Sequence, residues 1–336
     1  MTEAAPVTQT APGPLAAQAA GGPPQIVYVI GANRSGTTLM GKLLSSLPGS
    51  FFAGELMILW RRMLESRGYE YDPVIKCACH EPVLECDVWA PVLDALDADA
   101  RDPDEVYGWY RAMRRDYAEP RLARGVPETV SEGTRHLVDL TARLYDVLAA
   151  STGARTIIDT SKTAAYGAVL TQMPLDADVR LIHVTRDPRG LLHSRLGTYR
   201  RKGWELPTGA AYWGLLARTA GHWWKRNLGA EALRRDLPGG QFLHVRYEDL
   251  IDSPRTVCND IARWLGREQA LPFVDERTVT LPANHSYAAN RNRREVGDVE
   301  VRRNRAWQGE LPGAERRFVT ALTAPLLKWY GYPLGG

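Results

Sequence analysis

The chain has 336 residues, with 42 basic against 39 acidic side chains and a formal net charge of +3. This small excess does not by itself indicate nucleic-acid binding, and no apolar run is long enough to span a membrane. We therefore expect no partner of either kind and a cytoplasmic protein. The length allows one large α/β domain or two smaller ones.

The first 24 residues differ from the rest of the chain. Ala, Pro, Gly, Gln and Thr dominate residues 1–24, which show no apolar periodicity, so we predict a disordered leader. The segment has neither a basic start nor an unbroken apolar stretch, and a secretory signal is not expected.

The first predicted element is a buried strand at 25–30, which ends at Gly31. A glycine-bearing loop follows, and a helix is predicted from Thr37. Strand, glycine loop and helix N-terminus form an arrangement that binds phosphate or sulfate groups. The Gly31-x4-Gly36 spacing matches a P-loop, but Thr37 stands where nucleotide triphosphatases have lysine. The loop side chains that can donate to an anion are Arg34, Ser35, Thr37 and Thr38.

The rest of the chain alternates predicted strands with predicted helices. The further strands are short and apolar, and fall at 51–53, 155–159, 179–184 and 241–245. The helices are predicted at 37–47, 55–67, 104–118, 135–151, 163–173, 188–199, 208–228, 254–266 and 312–332. This alternation predicts an α/β fold with a doubly wound parallel sheet flanked by helices, whose ligand lies at the carboxyl ends of the strands.

Two segments depart from this alternation. Residues 68–134 are rich in Pro, Asp and Tyr, and we interpret them as an insertion, helical in its second half, that could cover the site. Residues 281–306 are polar and poorly periodic, which is typical of a long loop that is functional or disordered.

The four cysteines do not form a disulfide framework in a chain of this length. Cys77, Cys79 and Cys86, with His80 between them, leave two interpretations open: a small metal site, or reduced thiols in a compact loop. Because Cys-x-Cys is an unusual spacing for structural zinc, the reduced thiols are favoured and no metal is expected.

A second anion motif follows the strand at 179–184. Arg186 ends the strand, and Ser194 lies about two turns into the next helix, so both could reach an anion near the first loop. Alternatively, Arg186 and Asp187 form a surface ion pair and Ser194 is an ordinary helix residue. The presence of both motifs in one chain favours the anion site over that alternative.

Together, the two motifs resemble those of sulfotransferases that use 3′-phosphoadenosine 5′-phosphosulfate (PAPS). The run Arg34-Ser35-Gly36-Thr37-Thr38 is similar to the family's 5′-phosphosulfate loop, and Arg186 with Ser194 is similar to its 3′-phosphate motif. Residues 245–250 also resemble a family pattern. The resemblance covers about 25–332 and implies a single P-loop-like sulfotransferase domain over 25–336.

The segment from His285 to Arg293 matches a further family motif only in part. Asn290 and Arg293 stand as in the family's Gly-Asn-Pro-x-Arg pattern, with Ala289 and Arg291 in place of its Gly and Pro. The resemblance implies that Arg293 closes over the 3′-phosphate.

The resemblance also implies a reaction and its residues. PAPS would be the co-substrate and adenosine 3′,5′-bisphosphate (PAP) the product, with no metal required. Arg34 would stabilise the leaving oxygen, and Lys162 would contact the sulfuryl group or the bridging oxygen, unless it is a solvated loop lysine. Glu55 is the predicted general base, as in tyrosylprotein and heparan sulfotransferases, unless it is a helix N-terminal acid. The rival bases are His183, which is more typical of a core position, His193, His222 and His285.

Other functions and the acceptor stay open at this point. A P-loop kinase or triphosphatase is disfavoured by Thr37, and a non-catalytic binder of phosphorylated adenosine is a further alternative. The acceptor would be a hydroxyl of a small molecule, glycan or lipid. Aromatic residues at 199–224 either line its pocket or, as we favour, belong to the core.

Overall fold

The computed structural model describes residues 23–59, 76–96, 102–288 and 291–335. At its centre is a parallel sheet of five strands in the order β2-β3-β1-β4-β5. The predicted α/β fold with a parallel sheet is confirmed. Nearly all of the predicted leader and residues 60–67 of the predicted helix at 55–67 lie outside the described residues. The strands are β1 (Gln25–Gly31), β2 (Ser50–Gly54), β3 (Thr156–Lys162), β4 (Asp178–Thr185) and β5 (Phe242–Arg246).

Helices connect and cover these strands, as the alternating pattern predicted. They are α1 (Thr37–Leu44), α2 (Trp89–Ala95), α3 (Pro103–Asp116), α4 (Glu119–Leu122), α5 (Glu132–Thr152), α6 (Ala164–Thr171), α7 (Pro188–Arg201), α8 (Gly209–Asp236), α9 (Tyr247–Asp252), α10 (Pro254–Trp264), α11 (Trp307–Glu310) and α12 (Gly313–Trp329). Short 3-10 turns occur at Leu56–Ile58, Val83–Glu85 and Arg291–Arg294. Within the described ranges, no helix has both the length and the apolar character needed to cross a membrane.

The alternation of side chains along β1 explains why helices cover both faces of the sheet. Ile26, Tyr28 and Ile30 point to one face and join the core formed with α2, α3, α5 and α6. Val27 and Val29 point to the other face and pack with residues of α1 and α10. Because successive side chains of a strand point to opposite faces of the sheet, one fully apolar strand contributes to the hydrophobic cores on both faces.

Strand β3 is longer than its apolar run predicted. Its last residues are polar but buried, because their polar atoms are bonded inside the fold. Asp159 Oδ2 accepts from the Tyr145 hydroxyl at 2.6 Å, and Thr160 Oγ1 donates to the Gly54 carbonyl at 3.0 Å. Lys162, expected on a loop, is the final residue of this strand.

The expectation of a structureless loop at 281–306 is wrong in part. A two-stranded antiparallel hairpin links β6 (Thr278–Leu281) to β7 (Gly297–Glu300). Each strand has only four residues, so neither gives a clear alternating pattern. Residues 289 and 290 between them lie outside the described residues.

The described parts of the insertion at 68–134 are helical in its second half, as predicted. Helices α2 and α3 contribute buried residues to the core on the Tyr28 face of the sheet. Its proposed role as a cover over the site stays a prediction.

An ion pair between a buried lysine and a half-exposed glutamate joins α1 to the segment before β7. Lys42 Nζ lies 2.5 Å from Glu295 Oε2, with the lysine side chain 2% exposed and the glutamate side chain 52% exposed. Burial lowers the pKa of Lys42, and the hydrogen bond to Glu295 opposes that shift. The pair therefore holds the late segment against the helix that begins at the glycine loop.

We expect Glu295→Gln to lower the free energy of unfolding by about 1–3 kcal/mol, since it leaves a buried ammonium without its counter-charge. The matched control is Glu300→Gln. Glu300 is also 52% exposed, but it pairs with Arg302, which is 83% exposed, so its loss should cost less than about 0.5 kcal/mol. Equal effects in denaturant titrations would contradict a structural role for the Lys42 pair.

Candidate active site

The candidate residues lie along the carboxyl edge of the sheet. In the order of the strands, this edge presents Glu55 after β2, Lys162 at the end of β3, the glycine loop after β1, Arg186 after β4 and Tyr247 after β5. Neighbouring strands are about 4.8 Å apart, so these groups lie side by side along the space above this edge, hereafter the cleft. The predicted residues therefore lie at the strand ends, and ligand binding there stays a prediction.

The two glycines of the loop are required by close contacts. A Cβ at Gly31 would lie 2.5 Å from the Val184 carbonyl oxygen, and one at Gly36 would lie 2.4 Å from the Tyr247 ring. Gly36 also has a φ of +94°, and Arg34 has a φ of +76°. This backbone turns sharply before α1 and brings its first N–H groups to the cleft.

Two hydroxyl groups of the loop are buried without a partner. Ser35 Oγ and Thr38 Oγ1 have no hydrogen-bond partner among the described residues, although both side chains are nearly inaccessible. Buried hydroxyls are normally bonded, so an unbonded pair at a helix N-terminus suits a ligand rich in acceptor oxygens. Thr37 is buried beside them. The loop therefore fits a phosphate or sulfate group.

The second anion motif contacts the first one directly. Arg34 Nε donates to Ser194 Oγ at 3.0 Å, and Arg186 Nη1 donates to the Arg34 carbonyl at 2.8 Å. The alternative surface pair between Arg186 and Asp187 is not formed, because Asp187 binds Arg189 through two hydrogen bonds between buried side chains. The structure thus brings together the residues that the sequence predicted to share an anion site.

Positive charge is concentrated at this junction. The pKa of Arg34 is lowered, first by burial and then by the charges of Arg201 and Arg186. Arg186 itself is buried, with its guanidinium 4.3 Å from the centre of the Tyr247 ring. A bound anion would relieve this repulsion. Arg201 and Tyr247 were not singled out from the sequence, although Arg201 ends the helix that carries Ser194 and Tyr247 lies in the family pattern at 245–250.

A carboxylate and an ammonium group face each other at the β2 and β3 ends. Lys162 Nζ donates to Glu55 Oε1, and their side chains are 11% and 20% exposed. Lys162 adopts a left-handed φ of +72°, which is strained for a residue with a side chain. The Glu55 backbone N–H donates to the Tyr287 carbonyl at 2.9 Å. Both predicted residues therefore lie at the cleft, and their pairing was not predicted.

Asp159 lies beneath this pair and was not predicted as a site residue. Its carboxylate accepts hydrogen bonds from Tyr145 and from the backbone and hydroxyl of Ser161, and Ser161 in turn accepts from the Met57 N–H. Burial raises the pKa of Asp159 to about 6, and the nearby Glu55 charge adds to this shift. The network fixes the strand end that carries Lys162.

We expect Asp159 to give stability a distinct pH dependence. Its folded-state pKa lies above the unfolded value of about 3.9, so the folded state binds the proton more tightly. The resulting stabilisation, up to about 3 kcal/mol, is present below about pH 4 and is lost as the pH rises through about 6. Asp159→Asn cannot titrate there. The unfolding free energy of wild type minus that of this variant should therefore fall over this range; a flat difference would contradict the shift.

Arg293 and the rival histidines lie in other surroundings. Arg293 is buried and donates to the Lys76 carbonyl of the insertion at 2.9 Å, while its 3-10 turn packs beside α1. His183 is fully buried and bonds Asn227 at 2.9 Å, so its predicted core position is confirmed. His193 pairs with Glu310 at 3.0 Å.

The aromatic residues at 199–224 mostly support helix packing, as favoured. Trp223 is fully buried and donates from Nε1 to the Arg186 carbonyl at 2.8 Å. This hydrogen bond fixes the backbone of the second anion motif. Tyr199 and Trp204 form an edge-to-face pair, in which Trp204 is half exposed.

The model of a sulfotransferase family matches residues 24–270. None of the curated proteins is significantly similar in sequence.

Several solved structures are similar in fold. The sulfotransferase domain of the curacin biosynthetic pathway is 15% identical, with 92% of this chain and 99% of that chain covered and a TM-score of 0.49. The sulfotransferase domain of the Synechococcus PCC 7002 olefin synthase is 18% identical, with 93% and 96% covered and a TM-score of 0.47. A retinol dehydratase in complex with retinol and PAP is 14% identical, with 92% and 82% covered and a TM-score of 0.36. Because the family model covers most of its length, this chain belongs to the sulfotransferase family.

Proposed function

We propose that this protein transfers a sulfuryl group from PAPS to a hydroxyl of a small-molecule, glycan or lipid acceptor. The observation that carries the proposal is the contact between the two anion motifs, Arg34 to Ser194 and Arg186 to the Arg34 carbonyl. A donor with a 5′-phosphosulfate and a separate 3′-phosphate has anions at both places.

The loop chemistry supports this donor over a nucleoside triphosphate. Triphosphate enzymes use the P-loop lysine to reach the β- and γ-phosphates and rely on Mg²⁺. Here Thr37 takes that position, and positive charge comes instead from Arg34 and Arg186. A kinase or triphosphatase is therefore the weaker alternative.

The donor residues divide into two groups in the proposed complex. The loop amides, Arg34, Ser35 and Thr38 would hold the 5′-phosphosulfate, with Arg34 beside the leaving oxygen. Arg186 and Ser194 would hold the 3′-phosphate, which fixes the orientation of the donor for an in-line attack. Arg293 would reach the same phosphate from the late segment.

Glu55 and Lys162 would act on the reacting atoms. The acceptor oxygen forms a bond to sulfur while the bond from sulfur to the bridging oxygen of PAP breaks. Glu55 takes the acceptor proton, and Lys162 stabilises the negative charge on the sulfuryl or bridging oxygen. The ion pair between them sets both groups at one side of the cleft. In the bound state Lys162 would donate to the donor oxygens, which would leave the carboxylate to accept the proton.

The activity is testable with labelled donors. Purified protein is incubated with pools of hydroxylated metabolites, glycans or lipids and with either PAPS labelled in sulfate or ATP labelled at the γ-phosphate. We expect label transfer and PAP release from PAPS, and no transfer from ATP with Mg²⁺. Transfer of phosphate from ATP without transfer of sulfate would contradict the proposal.

A further inference from the structure

Three cysteines and one histidine meet beside the candidate active site, although the histidine is about 200 residues away in sequence. The sulfur atoms of Cys77, Cys79 and Cys86 and a ring nitrogen of His285 all lie within 4.8 Å of one another. The three thiols are reduced. Cys77 and Cys86 are buried, and Cys79 and His285 are half-buried. The mechanism proposed above, with Glu55 as the base, uses none of these side chains.

We propose that these four residues bind a structural zinc ion in a tetrahedral Cys3His site. Zinc holds thiolates at about 2.3 Å and imidazole nitrogens at about 2.0–2.1 Å. A tetrahedron with these bonds places two sulfur atoms about 3.8 Å apart, and a sulfur and a nitrogen about 3.6 Å apart.

The observed distances between the sulfur and nitrogen atoms are close to those of this tetrahedron. The Sγ atoms of Cys79 and Cys86 are 3.8 Å apart. Nδ1 of His285 lies 3.8 Å from Cys77 Sγ and 3.2 Å from Cys86 Sγ. Four soft or borderline donors at these distances favour zinc over hard cations such as Mg²⁺ or Ca²⁺.

A disulfide or a simple thiol cluster explains less of this arrangement. A disulfide needs sulfur atoms about 2.05 Å apart and would use only two of the four groups. Reduced cysteines in a core pack as small apolar side chains and have no reason to aim their sulfur atoms at one point together with an imidazole nitrogen. Convergence of all four donors is what a metal requires.

The chain around Cys77 forms a tight turn that presents two ligands. The Cys77 N–H donates to the Glu81 carbonyl at 2.9 Å, and the His80 N–H donates to the Cys77 carbonyl at 3.1 Å. His80 has a left-handed φ of +78° and an exposed side chain, so it turns the chain and does not join the cluster. The histidine expected from sequence proximity is thus replaced by His285.

Outer contacts hold the other two ligands. The backbone amides of Val88 and Trp89 face the Cys86 sulfur, as donors to a thiolate do. Trp89 Nε1 donates to the His285 carbonyl at 2.5 Å. Such contacts around metal ligands fix their orientation and strengthen binding.

The site connects the insertion to the catalytic edge of the sheet. Two residues after His285, the backbone of Tyr287 bonds to the end of β2. Its N–H donates to the Ala53 carbonyl at 2.8 Å, and its carbonyl accepts from the Glu55 N–H at 2.9 Å. On the other side, Arg293 donates to the Lys76 carbonyl, next to Cys77. A bound zinc ion would therefore hold the segments that carry Glu55 and Arg293. Its role is positioning, since all four coordination places are taken by protein.

The first test uses the full wild-type protein and requires no variant. We expect protein purified without chelator to contain about one zinc ion per chain by mass spectrometry of the metal. After exchange with Co²⁺, we expect thiolate-to-cobalt charge-transfer bands and the visible bands of tetrahedral cobalt. Protein that lacks metal and takes up neither Zn²⁺ nor Co²⁺ would overturn the proposal.

Matched variants then locate the site. Zinc affinity, measured by competition with a chromophoric chelator, should fall at least about 100-fold in His285→Ala and Cys86→Ser. It should be unchanged in His80→Ala and in Cys258→Ser, which alters a buried thiol on the opposite face of the sheet. Metal loss in His80→Ala with retention in His285→Ala would refute the assignment. These measurements do not depend on sulfuryl transfer, so they stand or fall separately from the proposed function.

Discussion

Glu55→Gln is expected to lower kcat for sulfuryl transfer by about 10²–10⁴-fold, the usual contribution of a general base. Glutamine has nearly the same shape but cannot take the acceptor proton. Binding of PAP should change little, because in the proposed mechanism the carboxylate acts on the acceptor and not on the nucleotide. The measurements are kcat with the identified acceptor and the dissociation constant of PAP by calorimetry.

A second variant separates this effect from a general loss of acidic charge. Glu268 is exposed and follows α10, where Leu265 and Arg267 contact the first residues of β1 and β3, at the opposite edge of the sheet. Glu268→Gln should therefore keep the wild-type kcat. If Glu55→Gln also keeps it while PAP binds normally, another residue is the base.

Arg186→Ala is expected to weaken PAP binding by about 10- to 150-fold, which corresponds to the loss of about 1.5–3 kcal/mol from a charge-assisted hydrogen bond to phosphate. The guanidinium is buried, lies over Tyr247 and reaches the Arg34 carbonyl. In the proposed complex, its removal takes away a buried positive charge beside the 3′-phosphate. Calorimetric titration with PAP measures the effect.

The affinity for adenosine 5′-monophosphate tests whether Arg186 binds the 3′-phosphate. This nucleotide lacks the 3′-phosphate, so its affinity should be nearly the same for wild type and Arg186→Ala. Arg200→Ala, on the exposed side of the same helix α7, should leave both affinities unchanged. Equal loss of affinity for both nucleotides would show that Arg186 supports the glycine loop and does not bind the 3′-phosphate.

The sheet and both anion motifs could be predicted because their information is local. Apolar runs with branched residues predicted four of the strands, the short run Phe51–Ala53 predicted β2, and the glycine spacing with Thr37 predicted the loop. Strand β3 was predicted to end at Asp159 but continues to Lys162, because burial of Thr160 depends on the Gly54 carbonyl, which is distant in sequence.

Contacts between side chains that are far apart in the chain could not be predicted from the sequence. Nothing in one sequence indicates that Lys162 binds Glu55 or that Arg34 binds Ser194. The same reason explains the histidine of the cysteine cluster. His80 was considered because it lies between cysteines, whereas the fold turns it outward and supplies His285 from the late segment.

The central claim is that the cleft binds a donor with separate 5′ and 3′ anions. The most direct measurement is calorimetry of the wild-type protein with PAP and, separately, with ATP and Mg²⁺. The account predicts that PAP binds at least about 100-fold more tightly, a difference of about 2.7 kcal/mol. Equal affinity or a preference for ATP would contradict it.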